Sequence, residues 1–234
     1  YTTGYASRKG IVTDQAQCDN NGGYTGCLIF RATEAYLNYI EASYMKEGVI
    51  DAKADQYWKA IRTRAKVSNN YQLTISNTNM SEEAKWDWGA YSAGNLIDAT
   101  LFNIRRERRC ELMTEGLRWM DLKRWRSMDQ MIITPYHIEG FKLWGPMQAW
   151  YTGLISGAGN STSNVSEPTL GNYIRPYEIN NRNLAYNGYK WHLAHYLDPI
   201  AIKHLLLTTP DGDVKNSVIY QNPYWPYNSN QAPE

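Results

Sequence analysis

Between residues 96 and 125, apolar and charged positions are interleaved with the spacing of a helix. Leu101, Ile104, Leu112, Trp119 and Leu122 recur at intervals of three, seven and eight, which lays an apolar stripe along one side. Arg108 and Glu115 fall on the same stripe. Charges on a core-facing stripe are costly unless they are paired and hydrogen-bonded. The pattern therefore predicts a buried ion-pair network with partners elsewhere in the chain.

The same periodicity predicts two earlier helices. One covers residues 28–47 and stops at Gly48, a natural C-terminal cap. The next covers residues 52–67, with Asp51 as N-cap and Tyr57, Trp58, Ile61 and Ala65 as its apolar face. A link this short makes them an antiparallel hairpin. Residues 69–79 are polar and read as a loop. Ser81, followed by Glu82 and Glu83, reads as a helix start, interrupted over residues 86–94. The charged helix then begins near Leu96 or Ile97. Gly116 is its breaker or a close-packing point, and a short helix covers residues 117–127. From residue 130 to 191 the helical period is lost. Residues 156–172 read as a mobile surface loop, and the tail from Tyr196 is expected to wrap back over the helices. The fold class is mainly α, a helical-hairpin scaffold with long irregular loops and few short strands, in one domain over residues 1–234.

Composition narrows the function. A net charge of +1 gives no reason to expect nucleic acid. No run of about 18 apolar residues predicts a membrane helix. The 3 cysteines do not form a disulfide framework. Cys18 and Cys27 are close enough in sequence to bridge in an oxidising setting, and Cys110 reads as a small buried hydrophobe. No Cys/His spacing predicts a metal site. His192 and His195 read as hydrogen-bonding packing residues, and Asp211-Gly212-Asp213 as a turn. The 19 Tyr and 9 Trp against 3 Phe do change the picture. Tyr and Trp join an apolar face to a polar handle, which suits wet surfaces and sugar-like ligands.

Paired carboxylates raise the case for a glycoside hydrolase. Glu34 and Glu41 lie seven apart, about 10 Å along a helix, which exceeds a retaining pair and sits at the far edge for an inverting one. Glu107, Glu111 and Glu115 form a second row at spacing four. Both rows carry arginines: Arg31 beside Glu34, and Arg108 and Arg118 beside Glu111 and Glu115. Arginine neighbours lower carboxylate pKa values, the wrong direction for a general acid. Arg31, Glu34, Glu41, Glu107, Arg108, Arg109, Glu111, Glu115 and Arg118 are therefore assigned to a structural ion-pair network. Glu34 or Glu41 is expected to pair with one of Arg105, Arg106, Arg108 and Arg109. No catalytic set and no cofactor fingerprint is present, which favours a binding protein. The candidate ligand-binding residues are Trp86, Trp88 and Tyr91, then Trp144, Trp150 and Tyr151, with Tyr136, Lys142 and Gln148 near the second set. Tyr186, Tyr189 and Trp191 form a third cluster.

The charged segment also carries a resemblance. Glu107, Arg108, Arg109, Glu111, Leu112, Glu115, Gly116, Arg118, Trp119, Asp121, Leu122, Arg124 and Trp125 match the signature of the C-terminal half of the SusD/RagB family. Upstream, Arg31, Glu34, Tyr36, Leu37, Glu41 and Ala42 are similar to a family helix, followed by Arg62, Arg64 and Ala65. Downstream, residues 195–200 and 221–225 resemble the family's closing elements, with Ala201 in place of a proline and Tyr224 in place of a glycine. In the family, the linker holding Trp86, Trp88 and Tyr91 is plainer. The resemblance implies a tetratricopeptide-like helical scaffold in a surface lipoprotein of Bacteroidetes. Such a protein captures oligosaccharide, or in some members peptide, and delivers it to a SusC-like TonB-dependent outer-membrane transporter. It implies further that an N-terminal half with the lipidated cysteine is absent from this chain and is a partner of it.

Overall fold

The local chemistry of the first half explains where its helices start and stop. The computed structural model describes residues 2–18, 22–24, 26, 28–157 and 161–233. Helix α1 (Ala32–Glu47) ends where Gly48 turns left-handed at φ 72° and donates its N–H to the Tyr44 carbonyl. It begins four residues later than the apolar pattern predicts, because Leu28, Ile29 and Phe30 belong to an exposed extended lead-in. Helix α2 (Ala52–Arg64) is capped by Asp51, whose Oδ1 accepts the Ala54 N–H at 2.7 Å. Helix α5 (Ala99–Glu111) is capped by Asp98, which accepts the N–H groups of Thr100 and Leu101. Each cap satisfies donors that a helix end leaves open, worth roughly 1 kcal/mol apiece.

These three helices share one core. Leu37 and Ile40 of α1 meet Ala54, Trp58 and Ile61 of α2, and Ile104 of α5 with Leu112 completes the cluster. The spacings of three and four that predicted the helices are the spacings that bury them. Tyr71 joins the core by stacking on Trp58, with ring centroids 4.1 Å apart. That stacking overturns one expectation: residues 69–79 are not a plain loop but contain helix α3 (Tyr71–Ser76). Asn70 caps it through the Leu73 N–H, and a buried Tyr71 hydroxyl donates to Asp55 at 2.7 Å. Six residues are too few to show a period, so only the tertiary packing reveals them.

The following helix, α4 (Met80–Glu83), is capped by Asn79 rather than Ser81. A hairpin of β1 (Tyr91–Ser92) and β2 (Asn95–Leu96) comes next, with Tyr91 opposite Leu96 and Ser92 opposite Asn95. Ala93 and Gly94 make its turn with φ of 49° and 77°, the doubly left-handed geometry that suits a two-residue hairpin. After α5 the chain breaks. Thr114 and Gly116 adopt φ of 66° and 79°, and nothing crowds Gly116, so it is a breaker and not a packing point. Helix α6 (Arg118–Arg124) starts afresh. The stripe drawn through Trp119 is therefore discontinuous: Ile104, Arg108 and Leu112 are buried, Leu101 and Leu122 are half-buried, and Trp119 is exposed. Cys110 is exposed as well, contrary to the buried role expected of it, because it lies on the outer side of α5. The bridge expected between Cys18 and Cys27 involves Cys27, outside the described residues.

The chain groups into two compact units, Ser7–Met128 and Tyr1–Ala6 with Asp129–Glu234. The elements above make up the first. The second is built of single 3-10 turns joined by irregular chain, as the lost period predicted, with one helix that the pattern did not show, α7 (Ile202–Thr208). Its own ties are local. Tyr136 and Tyr189 exchange backbone hydrogen bonds at 2.8 Å. The tail is fastened where Gln221 grips both the N–H and the carbonyl of Ile200, and where the Trp225 indole donates to the Ala194 and Leu197 carbonyls.

Gly140 is a point of this unit where backbone packs closely on a glycine. A β-carbon there would lie 2.3 Å from the Thr3 carbonyl oxygen and 2.7 Å from Ile174 Cγ1. Gly140→Ala is expected to lower the stability of the unit by about 1–3 kcal/mol through forced backbone displacement. A thermal unfolding midpoint equal to that of the parent would contradict this.

Candidate functional site

The charges predicted to pair do pair. Arg108, only 4% exposed, donates from Nε to both carboxylate oxygens of Asp121 at 2.9 and 2.8 Å, and from Nη1 to Asn38 at 2.7 Å. Its Nη2 lies 3.6 Å from Glu34, so the expected pairing of Glu34 with an α5 arginine is present. Glu41 finds a different partner. Arg124 approaches it with two nitrogens at 2.6 and 2.7 Å, and the Trp125 indole N–H donates to it at 2.6 Å. Glu107 accepts from Arg62 at 2.8 Å and from the Trp58 indole at 2.9 Å. Glu111 is held by Arg31 and Arg64, and Glu115 by Arg31 and Lys9.

One expected neighbourhood is corrected. Arg118 does not sit beside Glu111 or Glu115. It turns to Asp87 at 2.7 Å, and Arg109 reaches the other oxygen of Asp87 at the same distance. The break after α5 redirects the chain, so helical spacing across residues 111–118 does not apply. Lys9, Arg62, Arg64 and Arg124, and the carboxylates Asp87 and Asp121, belong to the network although the sequence pattern did not assign them to it. Asp87 stands between two tryptophans, Trp86 and Trp88, in a segment read as aromatic. Asp121 lies four residues before Trp125 in the charged segment itself.

The electrostatics run against acid catalysis. Burial alone raises the Glu41 carboxyl, but the hydrogen bonds and charge of Arg124, with the Trp125 N–H, hold it below the usual carboxylate value. In Glu115 burial acts in the same upward sense and is overcome by Lys9 and Arg31. Arg105 shows what burial does to a cation: desolvation pulls its guanidinium down to about 10, partly offset by the charge of Glu41. It holds the hairpin by donating to the carbonyls of Gly89 and Tyr91 at 3.0 Å and to the Ser92 hydroxyl at 2.8 Å. A glycoside hydrolase acid needs a raised pKa, the reverse of Glu41 and Glu115.

The aromatic candidates divide by exposure. Trp86 is 69% exposed at the end of the turn after α4, while Trp88, in the turn before the hairpin, and Tyr91, in β1, are half-buried. In the other unit, Trp150 is 73% exposed and Tyr151 is exposed beside it. Trp144, at 9%, is instead a core residue, packed with Leu143 and Val165. Its face is taken by packing, so it offers no platform to a ligand. Trp191 is buried too, against His195 and Tyr196. The His192 ring accepts the Ala194 N–H at 3.2 Å as a local cap. Among the described residues, no three His, Cys, Asp or Glu side chains are grouped to hold a metal ion, and no helix is long and apolar enough to cross a membrane.

A sequence profile of the SusD family matches residues 1–225. The chain belongs to the SusD family. No curated protein and no solved structure matches it. SusD-family proteins bind nutrients and are associated with the outer membrane. The mainly helical fold agrees with membership. In this SusD-family chain the signature is a packing device: its arginines and carboxylates hold α1, α2, α5 and α6 together. The exposed rings among the ligand-binding candidates, Trp86, Trp150 and Tyr151, lie outside it.

Proposed function

We propose that this chain captures oligosaccharide at the outer face of the outer membrane, where a lipid anchor holds it, and passes it to a SusC-like TonB-dependent transporter. No bond is broken in this role. The observation that carries the reading is the exposure of Trp86 and of Trp150 with Tyr151 on irregular segments, while the network carboxylates are engaged by arginines. A flat indole face packs against the apolar face of a sugar ring, and its N–H remains available to a hydroxyl. Family membership supports the transporter and the location as parts of this reading.

The test is an array of glycans and peptides probed with the intact protein and with Trp86→Ala and Trp150→Ala. At least one variant is expected to bind its glycan about tenfold more weakly, a loss of roughly 1.4 kcal/mol. Unchanged glycan binding in both variants would remove these rings from the site. Retention of peptides and of no glycan would overturn the ligand class. New reducing ends after incubation with the bound glycan would overturn the non-catalytic role.

A further inference from the structure

Away from the exposed tryptophans, a cavity of about 470 Å³ opens in the Ser7–Met128 unit, between the end of α1, the start of α2, α3 and the first turn of α5. Its walls are of two kinds. Val49, Ile50 and Ile75 give it an apolar side, and the Tyr44 and Tyr71 rings line it as well. Asp51 and Asp55 give it a carboxylate side, and none of its lining residues is lysine, arginine or histidine.

The two carboxylates are bonded differently. Asp55 accepts from the Tyr71 hydroxyl at 2.7 Å and from Lys59 at 2.8 Å. Asp51 accepts the Ala54 N–H at 2.7 Å, the Ser43 hydroxyl at 2.6 Å and the Tyr39 hydroxyl at 3.1 Å. These three donors are neutral, so they leave the negative charge in place. They also use most of the acceptor capacity of Asp51. A sugar hydroxyl would find few free lone pairs there, whereas a cation needs only the field. Asp98 adds a further carboxylate behind the wall, accepting the Tyr44 hydroxyl at 2.9 Å.

Lys59 already answers the charge of Asp55, so the negative side is the charge of Asp51; with the apolar side and the two aromatic rings it is complementary to one kind of ligand. We propose that this cavity binds an amphipathic cation, an ammonium or guanidinium on an aliphatic stem, as in a free alkylamine or the side chain of a lysine or arginine. The stem lies along Val49, Ile50 and Ile75, and the head group faces Asp51. This site does not depend on the oligosaccharide reading, and it uses none of the exposed tryptophans.

The experiment is titration of the intact protein, by NMR and calorimetry, with N-acetyl-arginine amide and with its neutral isostere N-acetyl-citrulline amide. The arginine form is expected to bind at least about tenfold more tightly, and to weaken as salt is raised. Agmatine serves as the free-amine arm. Binding of agmatine equal to that of the amide supports a small-molecule source, and tighter binding of the amide supports a polypeptide side chain. Two variants test the place. Asp51→Asn removes the charge but keeps a competent N-cap, and it is expected to lose most of the discrimination between arginine and citrulline. Gln72→Arg changes an exposed lining residue and places a tethered guanidinium at the mouth, where it competes with the added ligand. Equal binding of the arginine and citrulline forms, no binding of either at millimolar concentration, or full binding in Gln72→Arg would each overturn the proposal.

Discussion

Asp121→Ala lowers the stability of the Ser7–Met128 unit by about 3–5 kcal/mol, the range for removing one partner of a buried ion pair. Asp121 is 3% exposed and is the only carboxylate within hydrogen-bond reach of Arg108 Nε among the described residues. Arg124 Nε also donates to it at 2.9 Å, so one carboxylate satisfies two guanidinium groups. Its loss leaves Arg108 inside the core with Asn38 at hydrogen-bond distance and Glu34 at 3.6 Å. The double replacement Arg108→Met with Asp121→Leu is expected to recover much of the loss, because it removes the stranded charge as well as the pair. Urea unfolding of the three proteins measures both effects. A single variant that loses under about 1 kcal/mol, the scale of a surface pair, would show that water reaches the site and that the pair is not buried in solution.

Glu41→Ala is expected to cost about 3 kcal/mol, the loss of charge-assisted hydrogen bonds together with a buried donor left unmade. Glu41 is 4% exposed, and its removal strands the indole N–H of Trp125, itself 4% exposed. Arg124 is better placed to recover, since its side chain is 44% exposed and can be hydrated. Glu41 also makes a prediction in pH. Its folded pKa is lowered, so the stability from its ionisation is complete above the unfolded carboxylate value, about 4.3, and is lost as pH falls through the lower folded value. Glu115, lowered in the same sense, acts in the same window. The parent protein therefore loses stability on acidification below about pH 4.3, and Glu41→Ala loses less over that interval. Parallel acid limbs for the two proteins would show that Glu41 contributes nothing to the pH dependence.

Much of the scaffold is legible in the chain because helix ends and helix faces are local. Gly48 can turn left-handed where a residue with a β-carbon is strained, and Asp51 caps with atoms three residues away. The apolar spacings of α1 and α2 follow from a period that needs no partner to be seen. That Arg108 must be paired is legible too, since a charge on a core stripe is costly without a partner. The family signature is legible for the same reason: its residues are dense and contiguous.

What failed, failed for want of distance information. Helix α3 is six residues long, and it is held by Tyr71 stacking on Trp58 and donating to Asp55, interactions that span 13 and 16 residues. The stripe through Trp119 assumed one continuous helix, and the left-handed turn at Thr114 and Gly116 ended it. Trp144, Trp150 and Tyr151 looked alike as aromatic residues in an irregular segment, yet Trp144 is packed under Leu143 and Val165 while the other two face solvent.

The amino-acid sequence by itself determined the helical class, the hairpin of α1 and α2, the need for a buried charge network and membership of the SusD family. The tertiary structure alone decided which arginine meets which carboxylate and which rings remain open to a ligand. The physical reason is one of range. Propensity, capping and periodicity act over about one helical turn, whereas pairing and burial depend on chain segments brought together from up to about a hundred residues apart, as Lys9 is with Glu115.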